Sequence, residues 1–277
     1  MKYKHLFPLI LAASAALPAA AQVNDPGPVT VQTDKRPVGY VPIREADLMW
    51  AKRIWRVIDL REKMNQIYLY PLVPNNERIN LISIIKQGIG EGVITPYDPV
   101  SGDDFQVEMD RKTALAIGSS VDTIMIPEAN PPYIEHPVPI VTEFDPFTVK
   151  RYKIKEDWFF DSKRSVMEVR IIAICPVMEV YDATTGELRG LQDMYWIDFE
   201  QARTYLSGFK VYNPNNFAQR ISYDDAFRIR LFSSLIYKQD NTHDRRVDEY
   251  MAGIDALYEA EDIKNNIMEF EHDLWEY

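Results

Sequence analysis

Between Glu45 and about Gln66 the apolar residues Leu48, Ala51, Ile54, Trp55, Ile58 and Leu60 recur near a 3.6 period, with Arg, Lys, Asp and Glu interleaved. That spacing predicts an amphipathic helix over 44–66. Pro71 and Pro74 close the segment after Tyr68-Leu69-Tyr70. A second helix is expected from Glu77 to about Gln87, apolar on most sides through Ile79, Leu81, Ile82, Ile84 and Ile85, and therefore buried. The run Gly88-Ile89-Gly90-Glu91-Gly92 follows this helix and leads into the strand-like Val93-Ile94-Thr95. A dinucleotide loop has the opposite context, after a strand and opening a helix. Glu91 would also repel phosphate, so the run reads as a helix C-cap and turn.

Further along, β-branched and aromatic residues gather at Thr148–Ile154, Trp158–Phe160, Val166–Cys175 and Met178–Tyr181. These read as antiparallel strands, with Ala183-Thr184-Thr185-Gly186-Glu187 as a turn. Tyr195–Phe199 adds another strand, Tyr195, Ile197 and Phe199 facing one way and Trp196 and Asp198 the other. The last third turns helical. Ser222 and Asp225 have the spacing of a capping box, and Phe227–Ile236 supplies an apolar face behind it. From Val247 the apolar positions run Met251, Ile254 and Leu257, then Ile263, Ile267, Phe270, Leu274 and Tyr277. The last five step by 4, 3, 4 and 3, one helical stripe. Helices, then sheet, then helices predict an α+β fold with a central antiparallel sheet. Six of the 18 prolines fall at 127, 131, 132, 137, 139 and 146. That stretch is either a surface strap or a linker, and it is the one candidate boundary between two lobes of a 44–277 domain.

The N-terminus changes the compartment. Met1-Lys2-Tyr3-Lys4-His5 is a basic head, Leu6–Leu17 a mostly apolar run, and Pro18-Ala19-Ala20-Ala21 a small-residue end. This is a secretory signal peptide with cleavage expected between Ala21 and Gln22. An apolar run of about a dozen residues is too short to span a bilayer that needs about 20. No cysteine stands at the cleavage point, so direct lipid anchoring there is not expected. Residues 22–43, with Pro26, Pro28, Pro37 and Pro42, read as an extended arm. The single cysteine, Cys175, excludes an intramolecular disulfide and reads as a small core residue.

Charge narrows the partners. The formal net charge is −11, and loss of Lys2 and Lys4 with the leader takes it to −13. A chain this acidic is repelled by nucleic acid and by anionic membrane surfaces. No later run is apolar enough to span a membrane, so attachment at a membrane would go through another protein.

Candidate chemistry is sparse. Glu269, His272, Asp273 and Glu276 share one turn of the last helix, but one His without Cys is a poor zinc set, and the group reads as a solvated acidic face. There is no Gly-x-Ser-x-Gly elbow. Glu156, Asp157 and Asp161 could form a carboxylate pair, although 42 acidic residues supply such pairs by chance. No cofactor, metal or catalytic constellation is expected, and the chain does not read as an enzyme. The aromatic load, 16 Tyr, 12 Phe and 5 Trp, suits protein contact. Trp50, Trp55, Tyr68, Trp275 and Tyr277 are the candidate partner-contact residues.

Four blocks together resemble one family. They are Lys52–Gln66 (KRIWRVIDLREKMNQ), Trp158–Asp161 with Arg170–Val177, Phe232–Asn241 before Asp244-Arg245, and Glu271–Tyr277. They are similar to the GldN, or PorN, family of gliding motility and type IX secretion components, over about Trp50 to Tyr277. The resemblance implies a periplasmic subunit that binds an outer-membrane lipoprotein, GldK or PorK, builds a ring with it, and meets the trans-envelope GldL and GldM (PorM) motor proteins. It carries no catalytic residues over. Two other classes remain: a periplasmic glycan- or small-ligand-binding module, with an exposed aromatic platform, and a hydrolase, with a concave acidic pocket.

Overall fold

The computed structural model describes residues 36–74, 78–127, 135–182, 185–214, 216 and 219–274, and for 120–127 and 135–141 the backbone alone. The expected leader and the first part of the arm lie outside the described residues.

The first half of the chain runs β1 (Leu48–Asp59), α1 (Gln66–Leu69), α2 (Leu81–Glu91), β2 (Pro96–Tyr97), α3 (Arg111–Ala116), β3 (Ser120–Pro127) and β4 (Glu135–Thr142). It continues with β5 (Val149–Asp161), β6 (Val166–Tyr181), β7 (Leu188–Asp193), β8 (Trp196–Asp198), α4 (Phe199–Leu206), β9 (Lys210–Val211) and β10 (Ile221–Ser222). The chain ends in α5 (Tyr223–Arg228), β11 (Leu235–Gln239), α6 (Val247–Tyr250) and α7 (Ile254–Asp273). Seven strands form one antiparallel sheet in the order β11-β1-β5-β6-β8-β2, with β7 also on β6. The class is α+β, and Asp34–Tyr277 is one compact unit.

The helix expected over 44–66 is instead β1, a strand between β5 and β11. Its even positions, Trp50, Ile54 and Ile58, join the apolar clusters on one face of the sheet. The odd positions Arg53 and Trp55 meet Asp157 and Asp103 on the other. A strand covered on both faces needs apolar residues in both registers, and its charged residues are matched by distant partners. That mixture imitates a helical period. Helical backbone is confined to the two ends of the segment, a 3-10 turn at Glu45–Asp47 and the short α1.

A second difference lies at Phe227–Ile236. The capping box forms as expected, the Ser222 hydroxyl accepting from the Asp225 amide at 3.1 Å and the Asp225 carboxylate from the Ser222 amide at 3.2 Å. The helix nevertheless stops at Arg228. Arg230 has φ +55, which turns the chain so that Leu235–Gln239 can pair with β1. The sheet, not the local pattern, claims these residues.

The expected strands at 148–160 and 166–181 are two long ones. Their register shifts between Lys155 and Glu156. β6 pairs with β5 along its length, with β8 at Ala173 and Ile174, and with β7 from Val177. Pro176, with no N–H to give, falls at the gap between those two partners. Tyr195, Ile197 and Phe199 enter the main core, and Trp196 packs with Ala173 and Cys175 on the other side, the alternation expected.

The proline-rich stretch contributes β4, which pairs in register with β3, Thr123 opposite Pro139 and Met125 opposite Pro137. Prolines two apart place both missing N–H groups on one edge of the strand, so pairing uses the other edge.

The main core lies where α1, α2, α4 and α5 cover one face of the sheet, with Ile84, Ile85, Ile89, Tyr152, Ile154, Ile174 and Phe227 all buried. α2 is capped by Gly92 in the left-handed region at φ +78, but it runs through Gly88–Glu91, past the end expected near Gln87. Asn80 caps its start, accepting from the Ser83 amide at 2.9 Å. Gly88 is a packing requirement, since a Cβ there would meet Ile94 at 2.6 Å. At the other end of the same face α7 covers Ile54 and Ile236 with Ala260, Ile263 and Ile267.

Candidate interaction surfaces

The described part of the arm, Arg36 to Ile43, carries no helix or strand and is held by two arginines. Arg203 donates to the Val38 carbonyl at 2.6 Å and Arg170 to that of Val41. The Tyr40 ring stands 4.2 Å from the Arg203 guanidinium and 4.8 Å from that of Arg170. Burial raises the Tyr40 pKa, with Arg203 acting against it. Arg203 is itself fixed by Asp224 at 2.7 Å, a buried pair linking α4 to α5.

Two of the five expected contact residues belong to the interior. Tyr68 is 1% exposed, against Tyr223 and Phe227, and its hydroxyl donates to the Leu231 carbonyl. Trp55 is 5% exposed, its indole N–H bonded to Asp103 and its ring 4.4 Å from Lys238 Nζ. Trp50 is half-buried and stacked on Phe270 at 4.7 Å, which joins β1 to α7. Trp275 and Tyr277 lie outside the described residues. The three described residues are not gathered on one surface.

The exposed apolar surface lies elsewhere, on α7. Ile254, Leu257 and Tyr258 are 63%, 51% and 64% exposed, at the i, i+3, i+4 spacing of one helix face. Met251, ahead of the helix, is exposed as well, and Asp255, Glu261 and Asp262 are exposed on the helix. The buried residues Ala260, Ile263 and Ile267 lie on the opposite side of the helix. The signal was present in the sequence. Between Leu257 and Ile263 the apolar positions jump six residues, about 600° at 100° per residue, which sets them about a third of a turn apart around the helix.

A second apolar surface is a groove of about 920 Å³ lined by Met64, Ile67, Tyr70, Pro71, Tyr212 and Leu231, with Lys63 and Arg78 also present. Tyr70 and Tyr212 are both exposed.

The three carboxylates considered for hydrolysis do not converge. Strand alternation sends Glu156 and Asp157 to opposite faces. Asp157 takes two hydrogen bonds from Arg53, at 2.6 and 2.8 Å. Asp161 closes the turn after β5, and the Arg164 guanidinium at 2.6 Å holds its carboxyl below the usual range. Glu156 is 0% exposed and accepts from Arg56 at 3.1 Å, from Arg230 at 2.9 and 3.2 Å, and from the Trp158 indole at 3.1 Å. Both of its oxygens are thus engaged by arginines.

Cys175 is buried, its thiol pushed up by desolvation, and Sγ donates to the Pro176 carbonyl at 3.5 Å. Among the described residues no group of three or more His, Cys, Asp or Glu is arranged to hold a metal ion. Among them, too, no helix is long and apolar enough to cross a membrane.

These features define an α+β protein built on one antiparallel sheet, with an apolar ridge and an apolar groove open to solvent. Residues 43–276 match the model of the family described as Gliding motility associated protein GldN, and the chain belongs to that family. It is thus a component of the gliding motility and type IX secretion machinery, in a family of structural components. No curated protein matches the chain.

Proposed function

We propose that the chain is a non-enzymatic periplasmic subunit that forms a ring with an outer-membrane lipoprotein of the GldK/PorK kind and contacts a trans-envelope motor protein of the GldM/PorM kind. In this reading the leader is removed after Ala21, and the mature chain is attached to the outer membrane only through its lipoprotein partner. The observation that carries the docking role is the ridge of α7. Three large apolar side chains on one helix face, all more than half exposed, are costly to leave in water and are the usual centre of a protein contact. The acids beside them favour a partner surface that is both apolar and basic. They also disfavour the same face of a second copy, so ring closure would use a different surface of this chain. Trp50, stacked on Phe270 of the same helix, remains a proposed contact, and so, from the sequence alone, do Trp275 and Tyr277.

The test is co-purification with the lipoprotein from envelope fractions, followed by size-exclusion chromatography. The wild-type protein elutes as a very large complex, and Leu257→Asp with Tyr258→Asp removes it from that complex while its circular dichroism is unchanged. A protein that stays a monomer beside abundant lipoprotein would overturn the assembly role.

One observation favours a second reading, a glycan- or small-ligand-binding module. The Tyr70 and Tyr212 groove presents two exposed aromatic rings in a ligand-sized cavity. That reading expects a monodisperse monomer whose tyrosine fluorescence responds to oligosaccharides, and whose response is lost in Tyr70→Ala.

A further inference from the structure

Arg56 and Arg230, both bonded to the buried Glu156 behind them, line a cavity of about 320 Å³ together with Trp158, Phe232 and Lys264. The charges there do not cancel. Glu156 neutralises one of the two guanidiniums that it binds, leaving one positive charge over. Lys264 already has a partner, Glu261 at 2.9 Å. Arg56 is 6% exposed and, among the described residues, gives one hydrogen bond, from Nε. A guanidinium has five N–H donors, so its terminal amino groups keep unused donors where it lines the cavity. Burial lowers the Arg56 pKa, Glu156 resists that, and the adjacent Arg230 adds to it. Arg230 is held at this place by a left-handed backbone, φ +55, which a non-glycine residue adopts at a cost. The aromatic walls already carry cations, Arg230 lying 5.2 Å from the Trp158 ring and 5.0 Å from that of Phe232.

We infer that this cavity receives a single carboxylate borne on an apolar body and presented by a partner polypeptide. One surplus positive charge calls for one negative charge. A phosphate dianion would overshoot it. The planar fork of a guanidinium matches the two oxygens of a carboxylate. The volume sits at the low end for ligand cavities, the size of one residue and not of a cofactor. Trp158, Phe232 and Ile267 supply the apolar wall. The carboxylate comes either from a chain terminus or from a Glu or Asp side chain, and the chemistry that recognises it is the same. This site lies apart from the α7 ridge and does not depend on it.

The experiment follows the arginine Nε–H resonances of the ¹⁵N-labelled protein during titration with N-acetyl-phenylalanine, with its amide, and with N-acetyl-glutamic acid α-amide. The resonances of Arg56 and Arg230 shift and saturate with one or both acids, while the neutral amide leaves them in place. Tighter binding of N-acetyl-phenylalanine assigns the source to a chain terminus, and tighter binding of the glutamic acid derivative assigns it to a side chain. Lys264→Glu, at an exposed position that leaves the buried triad intact, weakens binding by about fivefold or more. Absence of saturation by either acid at tens of millimolar, equal binding of the amide, or indifference to Lys264→Glu would overturn the assignment.

Discussion

Replacing Glu156 by Gln changes one atom of the side chain and removes the anion that joins β1, β5 and the turn after α5. The carboxylate accepts four hydrogen bonds, three of them from guanidiniums. A unit charge pair about 4 Å apart at an effective dielectric constant near 20 is worth about 4 kcal/mol before desolvation. Arg230 is about one-quarter exposed, so solvent screens part of its share. Glutamine still accepts hydrogen bonds through one oxygen. Loss of one partner from a buried ionic group costs about 3–5 kcal/mol, because the remaining charges stay buried without compensation. Here two arginines would be left, repelling one another. With a urea m-value of about 3 kcal/mol/M for a domain of this size, the unfolding midpoint falls by about 1–1.7 M. The assay is urea unfolding followed by tryptophan fluorescence, with Glu179→Gln, at a more exposed position of β6, as the control. A shift below about 0.3 M would refute the claim that Glu156 is the counterion of both arginines.

Asn65 is fully buried and joins the end of β1 to residue 233, donating to the Asp59 and Ser233 carbonyls at 2.8 and 2.9 Å and accepting from the Ser233 amide at 2.8 Å. Asn65→Leu leaves these groups unpaired and costs about 3 kcal/mol, seen in calorimetry as a fall in Tm of roughly 10 °C. Tyr40→Ala removes the ring between Arg170 and Arg203. Two partly exposed cation–π contacts are worth about 1–2 kcal/mol together, so trypsin cleaves after Arg44 about tenfold faster, and an unchanged rate would show that the arm is held without the ring. Lys86 donates to the Leu115 and Ile117 carbonyls, and burial lowers its pKa from 10.5 to about 8. Between these two values the unfolded chain binds more protons than the folded one, so stability rises as pH is taken from 8 to 10.5. The difference is absent in Lys86→Met, measured by denaturant midpoints at the two ends of that range.

What the sequence determined by itself is local. The glycine cap of α2, the Ser222–Asp225 capping box and the alternation at Tyr195–Phe199 each depend on residues within a few positions, and the chain alone predicts each, although α2 runs about a turn beyond its expected end. The four family blocks were equally legible, because they are strings of residue identity and need no geometry. What only the tertiary structure decided depends on neighbours far along the chain. Residues 48–59 could have been a helix, and become a strand because β5 and β11 flank them and Asp157 and Glu156 meet their arginines across about a hundred positions. Trp55 and Tyr68 read as surface anchors until packing placed them inside, while the exposed ridge of α7 passed for a continuation of its buried stripe. Periodicity reports how many faces of an element are apolar. Whether such a face meets the core or the solvent is set by the other layers of the fold, and here that choice separates the interior of the protein from the surface it offers to partners.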